Sequence, residues 1–316
     1  MHQLTRKRAL TLAAAGAVST LTPTLARAQT STIRIGQNAA DTFGEGYYAA
    51  DRGSFAAAGL DVQVLTFTNG AAQAEACAGG AIDVGLGEAT ELANGISRGL
   101  PFAVFASGSL YDSAAPTTQF CVAANSQFHA AKDFEGQTVA VPALTSLSSM
   151  AVRAWLVKGG ADLSKVRFIE IPLNAIIAAV QRGTVAGGHV GEPFLSAAGS
   201  TVRRLGSPYD SVAKKFVISD WFATRAWLAS NQSIAKRLTN VIYDTARWAN
   251  AHHDESAPIL AKYTKIDVDV IRKMVRVGYA TSFQPQLMQP VLDTAQTYGG
   301  LTRHVEASEL IAPPKA

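Results

Sequence analysis

The chain has 316 residues, with 28 Lys and Arg against 24 Asp and Glu, a formal net charge of +4 and a sequence pI near 9.1. Apolar residues make up 48% and charged residues 16%, which fits well-filled globular cores and excludes a disordered or fibrous chain. Two cysteines, Cys77 and Cys121, are too few and too far apart for a disulfide framework or a Cys-based zinc site.

The first element read along the chain is an export signal over residues 1–28. Arg6, Lys7 and Arg8 lead into an apolar stretch from Ala9 through Val18 to Leu21, and Ala26-Arg27-Ala28 supplies a small-x-small cleavage site. The apolar run is too short to read as a spanning helix. Lys7 interrupts the Arg-Arg pair of a twin-arginine signal, which leaves the export route open, and no Cys follows the cleavage site to take a lipid anchor. Removing residues 1–28 takes four basic residues and no acid, leaving 24 against 24, so the excess charge belongs to the signal. A neutral mature chain gives no global support for nucleic acid or an anionic membrane as partner. The expected location is periplasmic.

The mature part alternates short β-branched runs with Ala-rich stretches. Strands are expected at 32–37, 60–67, 82–86 and 102–106, with helices at 44–58, 71–78 and 88–98 between them. That βαβ series predicts a parallel sheet covered by helices. A second series follows Thr117: strands at 119–123, 138–142, 166–171 and 188–190, with helices at 146–158 and 175–182. Past Phe216 to Asp220 the pattern changes, and from Ser233 it is mainly helical. The fold class is α/β in two units without a flexible tether.

No nucleophile elbow, Walker loop or zincin helix occurs. Small-polar loops instead follow several strands and feed helices: Asn38 to Gly44, Thr68-Asn69-Gly70, Gly87 to Thr90 and Ala143 to Ser149. Each can be a plain helix cap. Several at the carboxyl ends of neighbouring strands make a ligand site, because open α/β sheets bind there. His189 and Glu192 could both ligate a metal, but two ligands are too few, so neither metal nor cofactor is expected. Glu192 reads as a hydrogen-bonding group in a cleft, and Trp221, where the pattern changes, as a candidate ligand contact.

Several ordered segments resemble the periplasmic solute-binding proteins of nitrate, sulfonate and taurine ABC transporters, a superfamily shared with thiamine-pyrimidine-precursor binders. They are Ile33-Arg34-Ile35-Gly36, Arg52 to Val62, Gly79 to Gly85, Asp133 to Ala140, Gln181 to Gly188 and Glu192-Pro193, together covering essentially the whole mature chain. The resemblance implies a two-lobed Venus-flytrap fold of type 2 with two crossover strands, near 117–121 and 216–220. It implies lobe 1 from residues 29–116 plus 219–316 and lobe 2 from 117–218. It places ligand contacts at Asn38, Thr42, Phe43, Asn69, Gly70, Glu88, Thr90, Ser109, Leu110, Thr145, Ser146, Ser148, Asn174 and Glu192, with Trp221 added from the pattern change. A monomer that hands a small polar organic molecule to an inner-membrane ABC permease is the expected function. Two alternatives stay open on the same fold: a thiamine-pyrimidine-synthase type enzyme, which two distant cysteines disfavour because that branch carries a Cys-rich iron motif, and a ligand-sensing module for a membrane receptor. Family members often carry a bulky residue before Glu-Pro, where this chain has Gly191, and no arginine stands in the ligand loops. Both departures argue against an oxyanion ligand.

Overall fold

The computed structural model describes residues 32–311; the export signal expected at 1–28 lies outside them. In chain order the strands are β1 (Ile33–Asn38), β2 (Val62–Phe67), β3 (Val84–Gly87), β4 (Phe102–Ser107), β5 (Ser109–Asp112), β6 (Thr118–Ala123) and β7 (Thr138–Val141). Then come β8 (Arg167–Glu170), β9 (Gly187–Gly191), β10 (Val202–Gly206), β11 (Lys215–Val217), β12 (Asp220–Thr224) and β13 (Gly278–Tyr279). They form one sheet in the order β2-β1-β3-β12-β4, a second in the order β10-β6-β9-β7-β8, and a three-stranded ribbon β11-β5-β13.

The first sheet departs from the all-parallel expectation. β1 pairs in parallel with β2 and β3, but β12 enters antiparallel between β3 and β4, with Asp220 opposite both Gly87 and Ser107. β12 is not among the expected strands, and its direction is set by the chain's return from the second sheet. In that sheet β7 runs parallel to β8 and β9, while β6 is antiparallel to β9 and β10.

The chain passes between the sheets through β5 and back through β11, which pair from Lys215 opposite Asp112 to Val217 opposite Leu110. The first crossing is thus earlier than the expected 117–121, and β6 lies wholly in the second sheet. β5 escaped the sequence reading because only Gly108 separates it from β4. That glycine has a reason: a Cβ there would stand 2.7 Å from Ser219 Oγ, and its N–H donates to the Ser219 carbonyl at 2.8 Å. The helix expected at 44–58 is two, Glu45–Asp51 and Ser54–Ala57, broken at Gly53, whose φ of 70° is left-handed.

Apolar clusters sit on both sheets. Trp221, Tyr47, Ile35 and Leu86 are fully buried in the first, and Phe120 in the second stacks on Trp155 at 5.2 Å and meets the edge of Phe134 at 5.0 Å.

Candidate functional site

The loops at the carboxyl ends of β1, β2 and β3 face those of β7, β8 and β9 across a cavity of about 300 Å³. Each wall is held from below. After β1, Asp41 is buried and paired with Arg276 at 3.0 Å, both side chains almost wholly out of solvent. Arg276 also donates to Tyr48 Oη at 2.9 Å, the Val277 N–H gives Asp41 Oδ2 a further bond at 2.8 Å, and the Tyr279 hydroxyl donates to the Asp41 carbonyl. The helical C-terminal part thereby anchors the loop that carries Thr42 and Phe43. Asn38 Oδ1 accepts from Gln73 Nε2 at 2.8 Å, and Gln73 Oε1 accepts from the Leu86 N–H at 3.3 Å, which ties the ends of β1 and β3 together. Asn69 caps helix Gly70–Ala78 through the Ala72 N–H at 2.9 Å, and Ser146 caps helix Leu147–Lys158 through the Ser149 N–H at 3.2 Å.

Two contacts span the cavity. Glu88, just after β3, accepts from the Leu147 N–H at 2.7 Å, and the Asp41 N–H donates to the Glu192 carbonyl at 3.4 Å. These bonds join the two walls directly.

Three glutamates, Glu88, Glu91 and Glu192, stand in the lining. Burial pushes the Glu88 carboxyl up to about 7, with the Leu147 N–H opposing. Glu91 is pushed well above the carboxylate range by burial first and then by the charge of Glu88, against the N–H groups of Glu88, Ala71 and Gly70. Burial also raises Glu192, although Ser196 donates its hydroxyl at 2.8 Å and its N–H at 3.0 Å. His189 is driven down to about 3 by burial, so its imidazole is neutral, and its Nε2 has no protein partner. The buried Thr118 hydroxyl is also unpartnered. Among the described residues, no three His, Cys, Asp or Glu side chains converge as metal ligands.

Ten of the expected contacts line the cavity: Asn38, Thr42, Phe43, Asn69, Gly70, Glu88, Ser146, Ser148, Asn174 and Glu192. Five do not. Trp221 lies in β12 between two strands, fully buried, and donates its indole N–H to Glu45 Oε2 at 2.9 Å. Thr90 is buried one residue inside helix Ala89–Ser97. Ser109 bonds Ser219 Oγ at 2.8 Å in the crossing ribbon, and Leu110 is paired there with Val217 and Gly278. Thr145, half-buried in the turn before Ser146, is not part of the cavity's lining. Sequence reading missed Thr118, Tyr209 and Glu91 as lining groups and weighed His189 only as a metal ligand. The alternation His189, Gly191 on a strand that ends just before Glu192 was the available signal for His189; Tyr209 had none, since it follows a loop after β10.

A family model described as "NMT1/THI5 like" matches residues 42–256. A Brucella abortus (strain 2308) protein described only as a binding protein is 27% identical over 258 residues, covering 78% of this chain and 76% of the relative. Among solved structures, the periplasmic aliphatic sulphonate-binding protein SsuA of Escherichia coli superposes with a TM-score of 0.72 at 19% identity, over 90% of this chain and 92% of that one. The periplasmic nitrate-binding protein NrtA of Synechocystis gives 0.76 at 16% identity, over 89% and 85%. These likenesses establish the two-lobed periplasmic-binding-protein fold.

Proposed function

From the premise that this chain belongs to the NMT1/THI5-like family, we propose that it is an extracytoplasmic solute-binding protein that closes on a small polar organic molecule and delivers it to an ABC permease. Its lobes are residues 29–116 plus 219–316 and residues 117–218, joined by the two crossings. The observation that carries this reading is the cavity itself: its walls come from strand-end loops of both sheets, and Glu88 already bonds Leu147 across it. A ligand touching both walls favours the closed state by its differential contacts. Two or three charge-assisted hydrogen bonds, each about 1.5–3 kcal/mol, supply about 3–9 kcal/mol, so once ordering costs are subtracted micromolar binding, about −8 kcal/mol, also needs apolar burial against the wall.

The test is to identify by mass spectrometry what co-purifies with the mature chain, strip it, and return it during small-angle X-ray scattering. A saturable contraction is expected, with weaker binding in Glu192→Gln. A chain that carries no small molecule and does not contract with any candidate solute overturns the reading.

A further inference from the structure

Two helix N-termini face the cavity, and each already holds a carboxylate of the chain itself. Helix Leu147–Lys158 presents its first N–H to Glu88 Oε2 at 2.7 Å. Helix Gly70–Ala78 presents the N–H groups of Gly70 and Ala71 to Glu91. A Cβ on residue 70 would stand 1.7 Å from Glu91 Oε2, so glycine is what admits that carboxylate. These are the places an oxyanion would take, where unpaired N–H groups and the positive end of the helix meet. The chain's own acids occupy both.

Among the described residues the one cationic side chain in the cavity's lining is Lys265. Lys265 is exposed and its ammonium donates to the Lys262 carbonyl at 2.8 Å. Arg276 spends its guanidinium on Asp41, Tyr48 and Ser256 behind the loop. Two further polar atoms stand in the second-sheet wall without partners: His189 Nε2, 1% exposed, and the Thr118 hydroxyl, 4% exposed. Unsatisfied buried groups of this kind are costly unless something fills them.

We infer that the cavity selects a small organic cation, a protonated amine or amidine, with Glu88 as its anionic contact and with His189 Nε2 and Thr118 Oγ1 taking its polar edge, and that the two internal carboxylates exclude free oxyanions. This rests on the solute-binding reading above. The titratable groups facing Glu88 are Glu91 on its own helix and, from the second sheet's side, Tyr209, His189 and Glu192. Tyr209 stays protonated and His189 neutral between pH 5 and 8, because burial raises the one and lowers the other. The Glu88 and Glu91 pair holds a proton near neutral pH that a bound cation displaces, so cation binding tightens as pH rises.

Chain stripped of bound molecules by unfolding and refolding is titrated by calorimetry and thermal shift with three matched sets. These are benzylamine, benzamidine and agmatine; nitrate and methanesulfonate; and neutral benzamide and benzyl alcohol. At least one cation should bind, with affinity rising up to about tenfold per pH unit between pH 6 and 8, the limit for release of one proton. Glu88→Gln keeps the Leu147 bond in shape and should lower that affinity by at least about tenfold, as loss of a charged partner does, and flatten the pH profile. Tighter binding of an oxyanion or a neutral analogue overturns the inference and leaves the solute-binding reading standing. Binding of none of the three sets overturns the inference, and the solute-binding reading falls with it only if nothing co-purifies with the chain either.

Discussion

Replacing Arg276 by Met removes the group that holds the Asp41 loop in place. Arg276 Nε and Nη2 reach Asp41 at 3.1 and 3.0 Å, Nη2 reaches Tyr48 Oη at 2.9 Å, and Nη1 reaches Ser256 Oγ at 3.0 Å. With side chains only 4% and 1% exposed, water cannot take over for the lost partner. The variant leaves Asp41 with the Val277 N–H and the Tyr48 and Tyr279 hydroxyls, against a buried negative charge. Breaking one side of such a pair costs about 3–5 kcal/mol, and most of that is the stranded charge. At an m-value of about 3 kcal/mol/M the urea midpoint falls by about 1 M or more. Asp41→Asn in the same chain removes the charge, so the double variant should recover about 2 kcal/mol relative to additivity. Because the loop also carries Thr42 and Phe43 into the cavity, ligand affinity should drop with it. Urea unfolding of the two single variants and the double variant gives the cycle. An Arg276→Met loss under about 1 kcal/mol, or strict additivity, refutes the reasoning that this pair is the loop's buried anchor.

Glu45 gives a pH signature. Burial raises its carboxyl from the usual carboxylate range to about 8, with the Trp221 indole opposing and Asp220 adding to the rise. The folded chain therefore keeps a proton that the unfolded chain releases above its own pKa, and stability falls as pH rises through that window. At about 1.36 kcal/mol per pKa unit, Glu45 costs the fold about 3 kcal/mol more at pH 8 than at pH 5. Glu45→Gln keeps an acceptor for the indole and should be near neutral at pH 5 but stabilising by about 3 kcal/mol at pH 8; equal offsets at both pH values in urea unfolding would sink the argument. At Gly191 an added Cβ meets nothing closer than Thr118 Cγ2 at 3.5 Å, an ordinary contact. Gly191→Leu should therefore fold with a melting temperature close to the parent's while ligand affinity falls about 100-fold, or about 3 kcal/mol; retained affinity by calorimetry would remove Gly191 from the wall.

Much of this protein is written locally. Alternating βα runs, Gly59 and Gly53 at left-handed positions, and Asn69 and Ser146 at helix starts each follow from neighbours a few residues away. These local rules place loops at strand ends, and ten expected contacts do line the cavity. Contacts between distant segments are a different matter. Trp221 looks like a ligand-facing aromatic because the pattern changes there, yet β12 buries it between β3 and β4. Ser109 and Leu110 are ligand contacts by the family resemblance and are instead part of the crossing ribbon.

The sequence alone determined the α/β class, the family, the neutrality of the chain beyond residue 28 and the loops that could meet a ligand, because propensity, capping and charge count are read within a few residues. Tertiary structure alone decided which acids sit at the helix N-termini and which cation anchors the first loop. Leu147 lies 59 residues from Glu88, and Arg276 lies 235 from Asp41. Bonds at that separation depend on how the sheets and crossings bring the chain together, and no local pattern encodes them.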